Sequence, residues 1–406
     1  MHKAASMNPN VGRLYNIAQQ PSRLVIGLMS GTSVDGLDVA LCRCTGAGLE
    51  TMVEILHFET VAYDKNFKAE VKAVFSRKDA DLEKVCLLNS WIALQHAQII
   101  LQCLKEWELD PADIDLIASH GQTIYHAPKF LHRQDQFSNA TLQIGDGDHI
   151  AVNTGIITVS DFRQKHIAAG GEGAPLAVYG DYLVFSKAGE NRIMLNIGGI
   201  ANFTFLAGDL DAAKVFSTDT GTGNTLMDAY VQGHFPGKYC DEGAEIAAAG
   251  KVNEALLSSL KENNFFHMGF PKTTGPELFN IHYLEKARVT AGTGPLSHED
   301  VMATLNRFSA DTISEAIKRI ADELETVVIY VSGGGMHNPL LMDNLRKQLP
   351  GYTFNTTEQL GINPDAKEAV LFAVLANECV AGGNIRVGNG NTGIPFVSMG
   401  KISFPV

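Results

Sequence analysis

The stretch GLMSGTSVDGLDVAL, residues 27–41, places small, hydroxylated and acidic residues between two apolar runs. Amides and hydroxyls in such a turn can approach phosphate oxygens closely, and carboxylates beside them can position a Mg²⁺ ion. The groups suited to phosphate are Gly31, Thr32, Ser33 and Gly36, and the carboxylates are Asp35 and Asp38. The alternative is a Gly-rich hairpin turn with an Asx-type hydrogen bond and no ligand. This stretch alone leaves both interpretations open.

A further carboxylate, Asp219, stands among Thr220, Gly221, Thr222 and Gly223 at the end of a presumed strand in FSTDTGTGNTLMDAY, residues 216–230. A carboxylate held on a Gly-flanked turn, with little charge of its own sign beside it, suits a general base. An aspartate that caps a helix has the same neighbours in sequence, so a structural role is the alternative.

The segment YVSGGGMHNPLLMDNL, residues 330–345, combines three glycines, Gly333 to Gly335, with Asn338-Pro339. Glycines let a flat base or ribose press against the backbone, and proline suits a first helical turn. A tight strand–helix junction without a ligand is the alternative. Neither G-x-x-x-x-G-K-[ST] nor G-x-G-x-x-G between a strand and a helix occurs, so any phosphate site must use turns of another kind.

Two polar segments, residues 117–126 and 160–176, carry side chains suited to a polyhydroxylated ligand. These side chains are Ser119, His120, Gln122, Thr123, Asp161 and Arg163. For His120, a structural histidine with satisfied hydrogen bonds is the alternative.

These groups follow short apolar runs that are expected to be strands ending in polar turns. The runs are Leu24–Met29, Leu116–Ala118, Thr141–Ile144, Ile193–Ile197 and Val327–Val331. Apolar residues at three- and four-residue spacing predict helices within 90–107 and 301–320. Alternation of strands and amphipathic helices predicts an α/β protein with ligands where strands end in loops.

An internal similarity predicts two domains of related topology. Residues 23–44 and 192–206 both read as strand, small-residue turn, strand. The second domain is expected to start near residue 190, and a cleft between the domains is a natural place for a nucleotide.

Composition restricts the class of partner. A length of 406 residues favours two domains, and a net charge of −13 argues against nucleic acid and anionic membranes. No apolar run approaches the roughly 18 residues needed to span a bilayer. Residues 1–22 lack a secretory signal and are expected to be a disordered leader. Cys42 and Cys44 should share one strand face as buried free thiols, as expected in a reducing cytoplasm.

Taken together, the chain resembles the anhydro-N-acetylmuramic acid kinases, members of the sugar kinase/Hsp70/actin superfamily. The blocks that carry the resemblance occur in family order: GLMSGTSVDGLDVAL, SHGQTIYH, TLQIGD, DFRQKHIAAGGEGAPL, LNIGGIANFT, DTGTGNTLMDA, PKTTGPELFN and VSGGGMHNPLLM. The resemblance implies an α/β fold of two related RNase H-like (actin-like ATPase) domains that flank a nucleotide and sugar cleft. The domains would span 23–189 and 190–406, with the last helix able to cross back to the first.

The resemblance also implies roles for residues. Asp219 would be the catalytic base, and Asp35 and Asp38 would hold Mg²⁺. The anhydrosugar pocket would be lined by His120, Gln122, Thr123, Arg163 and Glu368. The ATP-binding set would be Gly31, Thr32, Ser33, Val34, Asp35, Gly36, Leu37, Asp38, Gly198, Gly199, Gly221, Gly223, Gly333, Gly334, Gly335 and Asn338.

The implied reaction uses ATP and Mg²⁺ to open the bridge of 1,6-anhydro-N-acetylmuramic acid with water and to phosphorylate O6, in a cytoplasmic homodimer. The chain departs from common family residues at Gln164-Lys165-His166, Thr222 and Pro276. A kinase of another anhydrosugar, such as levoglucosan, therefore stays an alternative. A non-enzymatic ATP-binding switch of the actin or Hsp70 type is the alternative from another class.

Overall fold

The computed structural model describes residues 7–322, 324–382, 387, 394–395 and 397–406. The described residues form two compact units. Unit 1 comprises those up to Phe185 together with those from Gly361 onward, and unit 2 comprises those within Ser186–Leu360. The first boundary follows Phe185, and the segment from Gly361 onward belongs to unit 1.

Unit 1 contains a mixed sheet and the helices that cover it. Its strands are β1 (Ser22–Ser30), β2 (Gly36–Thr45), β3 (Met52–Ala62), β4 (Leu116–Ala127), β5 (Ala140–Ile144) and β6 (Ile157–Ser160), with β12 (Lys401–Ser403) from the end of the chain. Its helices are α1 (Pro9–Gln19), α2 (Lys65–Val74), α3 (Leu82–Glu106), α4 (Lys129–His132), α5 (Gly147–Thr154), α6 (Phe162–Ala168), α7 (Ala177–Phe185) and α14 (Lys367–Ala381).

Unit 2 has a smaller sheet and a larger helical part. Its strands are β7 (Asn191–Ile197), β8 (Ile200–Leu206), β9 (Phe216–Thr222), β10 (Val327–Ser332) and β11 (Thr353–Thr356). Its helices are α8 (Thr225–His234), α9 (Glu245–Ala249), α10 (Glu254–Lys261), α11 (Ile281–Ala291), α12 (His298–Ala321) and α13 (Pro339–Gln348). The helices predicted within 90–107 and 301–320 are confirmed as α3 and α12.

The two sheets repeat one topology. Unit 1 has the order β6-β4-β1-β2-β3, and unit 2 has β11-β10-β7-β8-β9. In each sheet, the three strands that come first in the chain, β1-β2-β3 and β7-β8-β9, are antiparallel neighbours. The other two strands, β4 and β6 in unit 1 and β10 and β11 in unit 2, run parallel to the first of these. The related topology predicted from the two hairpins is therefore confirmed, because both hairpins are the first two strands of the same arrangement.

Helix α14 packs against β1 and so returns the C-terminal segment to unit 1. The contact requires a glycine on the strand: a β carbon added at Gly27 would lie 1.9 Å from the carbonyl oxygen of Ala369. Such a close approach of helix and strand buries apolar residues on both elements, and most α14 residues from Ala369 to Glu378 are buried.

The prediction of a disordered leader is wrong for residues 9–19, which form α1. Asn8 caps the helix by accepting a hydrogen bond from the amide of Asn10, and Pro9 occupies the first turn. Arg13 donates to the carbonyl oxygens of Gly155 and Ile114, which attaches the helix to unit 1. These partners lie far along the chain, which explains why local composition misses them.

The prediction of a polar turn after Ala118 is also wrong, because β4 continues through SHGQT to Ala127. The polar residues stay in the strand because β5 pairs antiparallel with this half of β4, from Gln122 to Ala127. Gly121, at φ +71°, permits the change of partner: a β carbon there would lie 2.6 Å from the carbonyl oxygen of Ile144.

The apolar cores lie where the helices cover the sheets. In unit 1 the core joins β1 and β2 to α3, and in unit 2 it joins β7 and β8 to α12 and α13. Cys42 and Cys44 are both buried free thiols, and Arg43 between them is exposed, as the alternation along β2 predicts. Within the described residues, no helix is both long and apolar enough to span a bilayer.

Candidate active site

The turn between β1 and β2 in unit 1 exposes backbone and hydroxyl groups. The amide of Val34 donates to the carbonyl of Gly31 at 3.2 Å and closes the turn, while Thr32 and Ser33 between them are exposed. Val34 has φ +58°, a left-handed conformation that is costly for a β-branched residue, and its side chain is buried. Burial of that side chain holds the strained turn in place. Among the predicted phosphate-binding residues, Val34 and Leu37 direct their side chains into the core and can offer only backbone groups.

The two carboxylates of this hairpin have different surroundings. Asp35 is exposed, and its nearest cation, Lys68 Nζ, lies 3.9 Å away. Asp38 is half-buried on β2 and accepts a 2.6 Å hydrogen bond from the Thr60 hydroxyl; burial raises its pKa, and nearby Asp365 adds to the rise. Mg²⁺ keeps several waters and usually binds one or two carboxylates together with substrate phosphates, so this pair suits it. Within the described part of the chain, no group of three or more His, Cys, Asp or Glu side chains forms a metal cage.

Three of the predicted sugar-pocket residues lie together in unit 1. Arg163, on α6, donates from Nε to Nε2 of His120 at 2.9 Å and from Nη1 to the carbonyl of Gly173 at 2.6 Å. Burial, together with the Arg163 charge, holds the pKa of His120 well below its usual value, so His120 is neutral and accepts from Arg163. Glu368 interacts electrostatically with Arg163, while burial raises the pKa of Glu368.

The segment that departs from the family pattern supports this group. His166 accepts a 2.9 Å hydrogen bond at Nδ1 from the amide of Gly173, the residue whose carbonyl receives Arg163. Gln164 donates to the carbonyl of Thr141. His166 therefore fixes the loop that positions Arg163, and a neutral imidazole suffices for this because burial lowers the pKa of His166 to about 4.

The other two predicted pocket residues are engaged within the protein. Gln122 is fully buried; its Oε1 accepts from Ser30, and its Nε2 donates to the carbonyls of Gly31 and Thr123. Thr123 is half-buried and accepts from Gln143 at 3.0 Å. The structure therefore groups His120, Arg163 and Glu368, and it connects Gln122 to the β1–β2 turn.

Three turns of unit 2 converge at one end of its sheet. The carbonyls of Gly198 and Gly199 accept hydrogen bonds from the amides of residues 223–225 at 2.8–3.0 Å. The glycine turn after β10 lies against β7: a β carbon at Gly335 would come within 2.2 Å of Cγ2 of Ile197, and one at Gly333 within 2.5 Å of Oδ1 of Asn196. The segments LNIGG, DTGTGN and SGGG, separated in sequence, thus lie against one another, with Gly199 and Gly334 exposed and Gly221, Gly223 and Gly335 buried.

Asn338 marks the start of the helix that follows the third turn, as predicted. Its Oδ1 accepts from the amide of Leu341 at 2.9 Å and from the side chain of Asn306 at 3.0 Å. Asn306 is fully buried on α12, so it holds the cap in one orientation.

Asp219 lies inside β9 and not on a turn, which corrects the expectation from its glycine neighbours. Its Oδ2 accepts a 2.7 Å hydrogen bond from the amide of Thr274, and its own amide donates to the carbonyl of Lys272 at 2.9 Å. Burial raises the pKa of Asp219 to about 7; Glu277 adds to the rise, and Thr274 and Lys272 oppose it. A carboxyl group with a pKa near neutrality can both accept and release a proton at physiological pH.

The site also includes residues for which the sequence predicts no role: Lys272, Ser30, Tyr63 and His96. Lys272 occurs in the quoted block PKTTGPELFN, and its ammonium is buried among Phe265, Phe266 and Phe270. The block itself is the signal that could have found Lys272. His96 is at helical spacing from Ile92 and Ile100 on the buried side of α3, so sequence gives no reason to separate it from the core.

Two units of repeated topology, each with a glycine-containing turn after its first strand and one with a half-buried carboxylate of raised pKa, define a two-domain α/β protein of the actin-like fold class, which includes sugar kinases. The model of one family, anhydro-N-acetylmuramic acid kinase, matches residues 23–402. Curated members from Pseudoalteromonas atlantica and Pseudoalteromonas translucida are 58% and 56% identical, each over 98% of this chain and 100% of their own length. One from Caldanaerobacter subterraneus subsp. tengcongensis is 39% identical over 96% of this chain and 99% of its own. The chain belongs to the anhydro-N-acetylmuramic acid kinase family.

Proposed function

We propose that this protein converts 1,6-anhydro-N-acetylmuramic acid, ATP and water to N-acetylmuramic acid 6-phosphate and ADP, in the recycling of cell-wall sugar. Family membership over nearly the whole chain supports the substrate. The single observation that carries the chemistry is Asp219, a carboxylate whose pKa is raised to about 7 and which Thr274 holds in one orientation.

The reaction needs one base and one phosphoryl acceptor. Water forms a bond to the anomeric carbon while the C1–O6 bond of the anhydro bridge breaks, and Asp219 takes the proton of that water. O6 then forms a bond to the γ-phosphorus, and the bond from the γ-phosphorus to ADP breaks. A positioned general base typically contributes about 10²–10⁴-fold to such a step.

The remaining residues bind and orient the substrates. In unit 1, the amides of Thr32 and Ser33 would bind phosphate oxygens of ATP. In unit 2, the turns at Gly198–Gly199 and residues 221–223 would bind phosphate oxygens, and Gly333–Gly335 with Asn338 would bind the adenosine. His120, Arg163 and Glu368 would hold the sugar. Asp35 and Asp38 would hold Mg²⁺, which when bound supplies positive charge to the phosphates.

Product mass spectrometry tests this function. Incubation with Mg-ATP and the anhydrosugar in ¹⁸O-water should add one phosphate and one heavy oxygen at C1. The same assay with levoglucosan separates the rival substrate: reaction of levoglucosan alone would overturn the proposed substrate and keep the ring-opening chemistry. ATP hydrolysis that no sugar accelerates would favour the ATP-binding switch.

We also propose a cytoplasmic location and a homodimer. The buried free thiols of Cys42 and Cys44 are consistent with a reducing compartment. Light scattering coupled to size exclusion should give twice the mass of the 43.8 kDa chain; a monomer mass would overturn the dimer.

A further inference from the structure

A chain of buried polar side chains crosses unit 1 and ends on the β1–β2 turn. Tyr63 Oη lies 2.9 Å from Nε2 of His96 and 3.0 Å from Oγ of Ser30. Ser30 Oγ lies 2.6 Å from Oε1 of Gln122, and Gln122 Nε2 lies 3.2 Å from the carbonyl oxygen of Gly31. The four side chains that link α3, β1 and β4 are all buried, so no water competes for these hydrogen bonds.

The donor and the acceptor of each hydrogen bond in this series of side chains follow from the contacts of Gln122. Gln122 places its amide nitrogen at two carbonyls, so its Oε1 can only accept, and Ser30 must donate its single hydrogen to it. Ser30 must then accept from Tyr63, and Tyr63 must accept from His96. His96 therefore carries its proton on Nε2 and leaves Nδ1 bare, in agreement with the absence of a described partner for Nδ1. Burial lowers the pKa of His96 to about 4, so this neutral form persists at physiological pH.

The last side chain of this hydrogen-bonded series, Gln122, sets the orientation of one peptide group. The carbonyl of Gly31 accepts from both Gln122 and Val34, so it points toward the inside of the turn. In a planar trans peptide the following N–H points the opposite way. The amide of Thr32 therefore faces away from the protein, and it has no acceptor among the residues that the structure describes.

Tyr63 holds the other end of the same turn. Its backbone amide donates to the carbonyl of Asp35 at 3.0 Å, while its hydroxyl reaches Ser30 at the start of the turn. Its ring stacks on Phe67 with centroids 3.8 Å apart, so the side chain has little freedom to move. One residue thus fixes both ends of the connection between β1 and β2.

We propose that His96, Tyr63, Ser30 and Gln122 form a positioning relay that orients the Gly31–Thr32 peptide so that its N–H binds a phosphate oxygen of the nucleotide. This inference rests on the proposed function, and it gives Gln122 a role in positioning the phosphate turn, without direct contact with the sugar. The consequence is a selective effect: loss of the relay should weaken nucleotide binding and leave sugar binding unchanged.

The test measures ADP affinity by calorimetry and the KM values for ATP and sugar, in Tyr63→Phe and Ser30→Ala. Each variant removes one link and should weaken ADP binding about three- to ten-fold, as expected for one hydrogen bond, with the sugar KM within about two-fold of the wild-type value. The double variant should lose no more ADP affinity than the more affected single variant, because either substitution alone already interrupts the series of hydrogen bonds.

His96 supplies a rescue test. His96→Gln keeps an N–H donor for Tyr63 and should retain more ADP affinity than His96→Leu, which removes the donor. The matched control is Tyr179→Phe, which removes another buried tyrosine hydroxyl of unit 1, one that donates to the carbonyl of Pro395 at 2.7 Å. It should lower the melting temperature without changing ADP affinity.

Three outcomes would overturn the relay. The first is wild-type ADP affinity in folded Tyr63→Phe and Ser30→Ala. The second is a loss of ADP affinity in Tyr179→Phe equal to theirs, and the third is a rise of the ATP KM and the sugar KM together. Binding of ADP does not need sugar turnover, so the two proposals fail separately. A wild-type protein that binds ADP and ignores the anhydrosugar would overturn the proposed substrate, and the relay would still be decided by the ADP measurements.

Discussion

The backbone amide of Thr274 lies 2.7 Å from Oδ2 of Asp219 and donates a hydrogen bond to it. This contact fixes one carboxylate oxygen of Asp219 and stabilises the charged form. Among the described residues, no donor bonds the other oxygen, Oδ1, which in the proposed reaction would take a proton from water. The geometry therefore separates the two oxygens of the proposed base into an anchored one and a reactive one.

Replacement of Asp219 by asparagine should lower kcat by at least about 10²–10⁴-fold, because the amide keeps the shape but cannot accept the proton. ADP affinity should stay at the wild-type level. Asp311→Asn is the matched control, since Asp311 is a buried carboxylate of unit 2 that bonds Arg307 and Gln348. The control should lose stability and keep kcat; full activity in Asp219→Asn would exclude this residue as the base.

The rate should depend on pH through Asp219. Since its pKa is raised to about 7 and only the deprotonated form acts as a base, kcat/KM should rise with pH up to about 7 and then level off. Lys272→Met removes a positive charge that lowers this pKa, so the rise should move to higher pH. A pH–rate profile of both proteins measures the shift, and Lys261→Met, which removes a lysine paired with Asp311, should leave the profile in place.

Gly335→Ala should disturb the packing of the glycine-rich turns of unit 2. Its β carbon would lie 2.2 Å from Cγ2 of Ile197, a buried branched side chain that cannot swing aside. Overpacking of this kind costs about 1–3 kcal/mol, and we expect a lower melting temperature together with a raised ATP KM. Gly351→Ala, where nothing lies within 4 Å of the added atom, serves as the control. Unchanged ATP KM in Gly335→Ala would argue against an adenosine site at this turn.

Arg163→Lys should raise the KM for the sugar by about ten-fold or more while the ATP KM changes little. A lysine ammonium cannot reproduce the fork by which Arg163 bonds both His120 and Gly173, so His120 would lose its partner and its orientation. Arg43→Lys, at an exposed pair with Glu54, is the matched substitution and should change neither KM. Equal rises in both KM values for Arg163→Lys would point to a general loss of structure.

The sequence by itself was sufficient for the α/β fold class and for the glycine-rich turns after β1, β7 and β10. Strand hydrophobicity, helical spacing and glycine placement are local properties, and the two hairpins at residues 23–44 and 192–206 already showed the repeat. The start of α13 at Asn338-Pro339 was also predictable from the sequence, because a cap and a first-turn proline act within a few residues.

Only the tertiary structure decided which polar residues are accessible to a ligand. The polar run of SHGQT predicted a turn, yet β5 pairs with it and keeps it in a strand, and Gln122 is buried against Ser30 and Gly31. Burial raises the pKa of Asp219, and a hydrogen bond from the amide of Thr274, 55 residues away in the chain, opposes the rise and fixes one carboxylate oxygen. The physical reason is common to these cases. Burial and hydrogen bonds between distant segments set the chemistry of a side chain, and neither can be predicted from the residues next to it.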